Sequence, residues 1–445
     1  MLAVGQNEAE RIEFVFNAIR EHQGSEEYKT AKDAELYYKH QNPTIMSYQK
    51  HVYDQFGRSV PDIWSPNNKI ASNWFNYFVT QGVSYLLGNG VSFSKDETKQ
   101  KLGADFDHEV EQMAVFAKNG GVSFGFWNLD HVEVFPLTEF VPLYDEMTGD
   151  LAAGVRFWQL GAEKPLRATL YEANGYTEYI KKDGNQPQML EEKRSYKVKT
   201  RRTAAEGRIA VAEENYDRLP IIPMWNINKQ SELVGTRGTI DAYDLMISGL
   251  VNNVSAGEFL YWVLKNCDGM SDADISRFIG QMVTSHFAKA DNTDEGSSIE
   301  AHKAEAPFQA SAEALDRLER QLYIDFMALR VSDISSGNRT ATEIQAAYEP
   351  LNQKTDQFEF CVTEFVKGIL RVAGIDDEPS YTRSQLSNRS ETLEAVLQAA
   401  QYLDEEYITQ KILTVLGDAD KLEDVLRRKL EENAARYSIT EVIEA

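Results

Sequence analysis

Two stretches with a helical apolar period, residues 237–264 and 308–330, bracket the short, polar, mixed segment 266–306, and this constrains the fold more than any other feature. The first stretch carries Ile240, Tyr243, Ile247, Leu250, Val251, Val254 and Leu260. Read as one continuous helix it is about 40 Å long. The second carries Leu315, Leu318, Leu322, Phe326 and Leu329 in register. The segment between them has 8 acidic and 3 basic side chains, a net charge of −5. Two amphipathic helices joined by a compact polar segment predict a hairpin, and hairpins packed side by side make a wall.

After the second helix comes "SSGNRTATEIQAAYEP", residues 335–350. Ser335, Ser336, Gly337 and Asn338 give the backbone freedom without bulk, and Arg339 is a lone positive charge among them. Thr340 or Thr342 can cap the next helix, with Glu343 as a capping-box partner for Thr340. Pro350 removes a backbone donor and permits a kink. The helix resumes through "LNQKTDQFEFCVTEFVKGILRVAG" and ends at Gly374. The plainer reading of these residues is an ordinary helix–loop–helix corner.

The N-terminal half has a different texture. Residues 7–40 read as two helices split at Gly24-Ser25, and "NNKIASNWFNYFVTQGVSYLLGNG" as a strong helix with Ile70, Trp74, Tyr77, Phe78, Tyr85 and Leu86 near one face. A helix over about 105–120 precedes a strand-rich block: "VSFGFWNLD", "HVEVFPLTEF", "GVRFWQL", "RATLYEANGYTEYI" and "RSYKVKTRR". Asn174-Gly175 and Asp183-Gly184 supply turns there, and "RLPIIPMWNIN" closes the block. "SYTRSQL" reads as a strand, and Ser390 to Arg436 as short helices.

Composition narrows the function. Lys+Arg is 46 against Asp+Glu 70, a formal net charge of −24, which disfavours binding nucleic acid by clustered phosphate neutralisation. Cys267 and Cys361 lie far apart without CxxC spacing, so a disulfide framework or zinc cluster is not expected and a reducing compartment is. The first residues do not form a signal peptide and no apolar run approaches a membrane span, so a soluble intracellular product is expected.

Catalytic motifs are weak. "GVSFG" at 121–125 matches a nucleophile elbow, but a helix precedes it and a strand follows, the reverse of the required order. A β-hairpin entry is the better reading of Ser123. "DHEV" at 107–110 lacks the second histidine of a zinc-protease helix, and no phosphate-binding G-x-x-x-x-G-K-[ST] occurs. "KRSYKVKTRR" at 193–202 holds six basic residues, with Lys197, Lys199 and Arg201 on one strand face. A solvated sheet face is the leading reading there, and direct phosphate contact the other. No cofactor and no metal is expected.

The order of segments resembles that of a known family. "NNKIASNWFNYFVTQGVSYLLGNGVSF" is followed by "PLTEFVPLYDEMTGDLAAGVRFW", "LPIIPMWNINKQSELVGTRGTIDAYDLMISGLVNN", "LKNCDGMSDADISRF" and "SSGNRTATEIQAAYEPLNQKTDQFEF". This is similar to the portal proteins of tailed bacteriophages, in the branch common among phages with long flexible tails. The resemblance covers roughly residues 40–430 and is most specific at 219–253 and 335–360.

It implies an α+β, mainly helical portal fold: a β-rich wing over 1–235, stem helices over 236–265 and 307–330, and a small clip over 266–306. A tunnel loop with the start of a kinked helix would occupy 331–352, a wing helix 353–380 and a helical crown 381–445. It implies a homo-oligomeric ring, typically of twelve subunits, at one capsid vertex. Double-stranded DNA would pass through it, and the terminase large subunit, a head–tail adaptor, and capsid and scaffolding proteins would be its partners. Such a ring is a virion component assembled in the host cytoplasm, without a membrane.

On this reading Ser335, Ser336, Gly337, Asn338, Arg339 and Thr340 face DNA, and Asp268, Asp272, Asp274 and Arg277 of the clip dock partners. Acidic charge then makes a lining that phosphates cannot grip. In the family the tunnel loop is often followed by a more apolar and basic helix start; here it is "TATEIQAAYE". The competing reading is a metal-dependent nucleic-acid-processing enzyme of a phage or prophage, against which stands the lack of a compact carboxylate motif.

Overall fold

The computed structural model describes residues 7–53, 57–63, 65–182, 185–202, 209–256, 260–265, 271, 273, 277, 298–303, 308–332, 341–384, 393, 396–416, 421–422 and 424–429. The chain divides into two compact units, one made of Met1–Val331 with Tyr348–Thr382, the other of Ser332–Ala347 with Arg383–Ala445. Helices and antiparallel sheets mix throughout the first, giving the expected α+β class.

The first unit opens with helices α1 (Glu8–Gly24) and α2 (Glu26–Tyr38). Asn7 caps the first by accepting from Ala9 N–H, and Ser25 caps the second by accepting from Tyr28 N–H. Each cap satisfies an orphan donor, so the split falls where the sequence places it. The short α3 (Pro43–Ser47) starts at a proline behind the cap Asn42. Helix α4 (Trp74–Leu87), the short α5 (Asp96–Leu102) and α6 (Phe106–Gly120) follow. Gly121, at φ 85°, closes α6 in the left-handed region that glycine tolerates.

After a small exposed hairpin, β1 (His51–Tyr53) with β2 (Ser59–Pro61), and the short β3 (Val91–Phe93), the strands fall into two main sheets. One is β13-β4-β5, with β4 at Val122–Asn128, β5 at His131–Pro136 and β13 at Ile221–Trp225. The other is an antiparallel meander, β10-β9-β8-β7-β6. Its strands are β6 (Phe140–Tyr144), β7 (Leu151–Trp158), β8 (Leu166–Glu172), β9 (Gly175–Lys181) and β10 (Gln188–Arg194). β8 turns into β9 at Ala173-Asn174, one residue before the expected Asn174-Gly175 pair, with Glu172 opposite Gly175, which opens β9 at φ 127°. Asp183-Gly184 lies outside the described residues. A ribbon of β11 (Lys197–Arg202) and β12 (Ile209–Glu214) follows, with the Lys197 ammonium 3.9 Å from the centre of the Tyr216 ring.

Two cores result. Val15, Phe16 and Ile19 of α1 cover the meander at Val141, Val155, Phe157 and Leu170. The larger core gathers α2, α4, α6, β4, β5 and β13 around the helix that runs from Ala341 to Ala373. Close approach there depends on two glycines. A Cβ on Gly125 of β4 would lie 2.6 Å from the Phe365 ring, and one on Gly368 of the helix 2.6 Å from Ile222 Cγ2 of β13. Each surface thus leaves room for the other's side chain.

Four sequence expectations are corrected. The helix expected over 237–264 stops at Ala256, and Leu260–Lys265 is a strand, β14, paired with β15 (Ser298–Lys303). Its run of aromatic and branched residues satisfies its backbone groups across a ladder instead of along a helix. The helix expected from Asn67 begins only at Trp74, so Ile70 precedes it. The helix expected to reach residue 330 ends at Asp325, after which Met327 takes φ 49° and Phe326 and Leu329 still turn inward. "SYTRSQL" contributes only its first two residues to the short β16 (Pro379–Tyr381), which pairs with β3.

In the second unit Asp404 accepts from Tyr407 N–H at the start of a helix over Glu405–Leu416, whose Ile408 and Leu413 are buried. Lys429 donates to Glu405 at 2.7 Å. Among the described residues no helix is long and apolar enough to cross a membrane.

Candidate functional site

Helix α7 (Arg237–Ala256) and helix α8 (Phe308–Asp325) pack together as the predicted hairpin, and the β14–β15 ribbon continues from them. Lys265 pairs with Ser298, so the ladder brings together the two ends of the segment 266–297. In sequence the ribbon lies between α7 and α8 and flanks the polar segment on both sides.

The base of the hairpin is fixed by a buried charge cluster. Glu232, just before α7, accepts from Lys118 of α6 at 2.6 Å and from Lys354 of the helix α9 (Ala341–Ala373) at 2.9 Å. Lys118 is 2% exposed, with its ammonium 4.2 Å from the centre of the Phe358 ring. Lys354 also donates to the Phe326 carbonyl at the end of α8. Two helices thus meet on the Glu232 carboxylate, and Lys354 ties the end of α8 to them. Burial opposes the charge of Glu232, but Lys118 and then Lys354 outweigh burial and hold its carboxyl down to about 2. Burial pushes the Lys118 ammonium down, with Glu232 opposing.

Aromatic packing completes the base. Phe326 stacks on Phe78 at 4.5 Å, and Trp74, Tyr77, Phe78 and Tyr323 meet edge to face or stacked. Gln81 of α4 exchanges two hydrogen bonds with the Leu329 backbone, donating at 2.9 Å and accepting at 3.0 Å. Thr239 of α7 donates to Asp325 of α8 at 2.7 Å. On the other flank of α7, Tyr37 and Asn42 donate to Asp241, and Asn42 also to the fully buried Asp244. Burial raises the Asp244 carboxyl, with donors from Ser72 and Asn42 opposing.

Helix α9 contains Pro350, as expected, and continues through it. The missing N–H leaves one carbonyl of the previous turn without its helical partner. Tyr85 of α4 braces both sides, stacking on Tyr348 at 5.8 Å and donating to Asn352 Oδ1 at 2.6 Å.

The residues singled out in the sequence fare unevenly. Ser335, Ser336, Gly337, Asn338, Arg339 and Thr340 lie outside the described residues, as do Asp268, Asp272 and Asp274; Arg277 is described and exposed. Helix α9 begins at Ala341, next to Thr340. Ser123 is fully buried in β4 and donates to the Met113 carbonyl at 2.7 Å, so its hydroxyl is committed to packing. Among the described residues no group of three or more His, Cys, Asp or Glu is placed to hold a metal ion. Sequence reading missed Glu232, Lys118 and Lys354, because nothing local distinguishes them from solvated charges.

The family described as "Phage portal protein, SPP1 Gp6-like" matches residues 18–435. The portal protein of Bacillus phage SPP1 is 24% identical over 385 residues, covering 79% of this chain and 73% of its own. The portal protein of Clostridium phage phiCD119 is 22% identical over 437 residues, covering 91% and 93%. A solved chain titled "Neck of empty GTA particle computed with C6 symmetry" aligns over 77% of this chain and 90% of its own, at 10% identity and TM-score 0.41. With a family match running from residue 18 to residue 435, this chain belongs to the SPP1 Gp6-like family of phage portal proteins.

Proposed function

We propose that this chain forms a ring, typically of twelve copies, at one capsid vertex, through which double-stranded DNA is packaged and later ejected. The observation that carries this reading is the family match over almost the whole chain. The role is structural, without catalytic chemistry of its own, and the ring is a virion component assembled in the host cytoplasm. The α7–α8 hairpin serves as stem. Residues 1–235 with 353–380 form the wing, and 381–445 the crown. The segment carried by the β14–β15 ribbon is the clip, which docks the terminase large subunit and then the head–tail adaptor. Because Leu260–Lys265 is a strand paired with Ser298–Lys303, this reading assigns it to the clip and not to the stem helix. Capsid and scaffolding proteins are further partners.

The net charge of −24 supports a channel that repels phosphates more than it holds them. Electron microscopy of the purified chain should show rings with a central channel, and DNA binding by those rings should be weak and salt-sensitive. Monomers at high concentration, or tight binding that persists at high salt, would refute this.

In the same reading residues 335–340 line the narrowest point, where a ring multiplies Arg339 into a belt of positive charge. Arg339→Glu should then impair packaging or retention of DNA while rings still assemble. A ring map with Arg339 on the outer surface would end the assignment.

A further inference from the structure

Residues 67–72, between the turn at Asp62–Ser65 and the start of α4, are neither helix nor strand. Their alternate backbone N–H groups nevertheless all go to one helix. Asn68 N–H donates to Asn252 Oδ1 at 2.7 Å, Ile70 N–H to Ser248 Oγ at 3.0 Å, and Ser72 N–H to Asp244 Oδ1 at 3.0 Å. The acceptors recur every fourth residue of α7, which is one stripe of a helix. The donors recur every second residue, as along one edge of extended chain. The spacings match: four helical residues rise about 6 Å, and two extended residues roughly 6.6 Å. Three successive rungs therefore form with neither element bending to reach the other.

The seam has defined ends. Asn252 and Asn68 add two further bonds at one end, Asn252 Nδ2 donating to the Asn68 carbonyl and Asn68 Nδ2 to Asn252 Oδ1. At the other, Asn42 Nδ2 donates to Asp244 Oδ2 at 2.7 Å. One turn beyond on either side, the sequence places Ile240 and Ala256, neither of which carries a side-chain acceptor. A slip by one turn in either direction forfeits a rung, so the register is unique. The seam is not backed by dense packing: a cleft of about 150 Å³ lies along it, lined by Pro66, Asn67 and Asn68 on one side and Leu245 and Gly249 on the other. Leu245 is 46% and Val254 56% exposed on the outer half of α7.

We infer that residues 67–72 are a releasable strap that positions the outer half of α7, and with it the β14–β15 ribbon that follows. The rungs are few and individually weak: one bond each at Ile70 and Ser72, and three between Asn68 and Asn252. Such a seam opens locally while the aromatic base stays packed. The strap acts within one chain and does not depend on ring formation, so its test is separate from that of the proposed function.

Amide hydrogen exchange on the full-length chain, read residue by residue, decides it. Asn68, Ile70 and Ser72 should exchange more slowly than the residues between them. Ser248→Ala and Asn252→Ala should each speed exchange over 68–72 and over 245–256 by about 5–30-fold, leaving α6 unchanged. Ser248→Thr keeps the hydroxyl acceptor and should stay near wild type. Three results would overturn the inference: unprotected amides at 68, 70 and 72 in the wild type, acceleration confined to the strap, or equal acceleration everywhere including α6.

Discussion

Glu232→Ala is expected to destabilise the first unit by about 3–5 kcal/mol, the range for removing one partner of a buried ion pair. Two lysines lose their counter-charge at once, one of them 2% exposed. The urea midpoint should fall by roughly 1 M or more. Glu232→Gln should be nearly as damaging, because an amide does not replace the charge. Adding Lys118→Met should recover part of the loss, since that side chain already lies against the Phe358 ring and a thioether packs there. An unchanged midpoint for Glu232→Ala would show that the cluster does not hold the hairpin base.

Acid gives an independent check. The Glu232 carboxyl is held below its ordinary 4.5, at about 2, so its stabilisation is present above about pH 4.5 and is lost as pH falls towards 2. A shift of that size corresponds to roughly 3 kcal/mol. The gap between wild type and Glu232→Ala should therefore close over that window. A constant gap across it would place the effect elsewhere.

Phe326→Ala should cost about 3–5 kcal/mol, as for other buried aromatic truncations. Its ring is 2% exposed, stacks on Phe78 and meets Phe75 edge to face at 6.2 Å. The Lys354 ammonium lies 5.6 Å from its centre. Ile324, two residues earlier and 67% exposed, supplies the control: Ile324→Ala should stay within about 0.5 kcal/mol. Thermal unfolding of both variants tests the pair. Equal effects would mean that the end of α8 does not dock as described.

Much of this was legible locally. Asn7 and Ser25 cap the first two helices, Gly121 closes α6, and the turn from β8 to β9 falls within one residue of the Asn174-Gly175 pair, because each acts on backbone groups within a few residues. The resemblance to the portal family was also readable, since it rests on segments quoted in order along the chain and not on what packs against them. The sequence by itself thus determined the α+β class, the hairpin of helices and the family.

Tertiary structure decided the rest, wherever local preference was balanced. Leu260–Lys265 carries an apolar period that a helix or a strand can use, and its pairing with Ser298–Lys303 selects the strand. Asn67–Ser72 could extend α4, but side chains of α7 nearly two hundred residues later take its N–H groups and hold it extended. Glu232, Lys118 and Lys354 are ordinary charges in sequence and become one buried cluster only when α6, α8 and α9 converge. The physical reason is common to all three. Caps and turns are settled by neighbours in sequence, whereas desolvation and long-range hydrogen bonding depend on what the fold brings near, which no local pattern encodes.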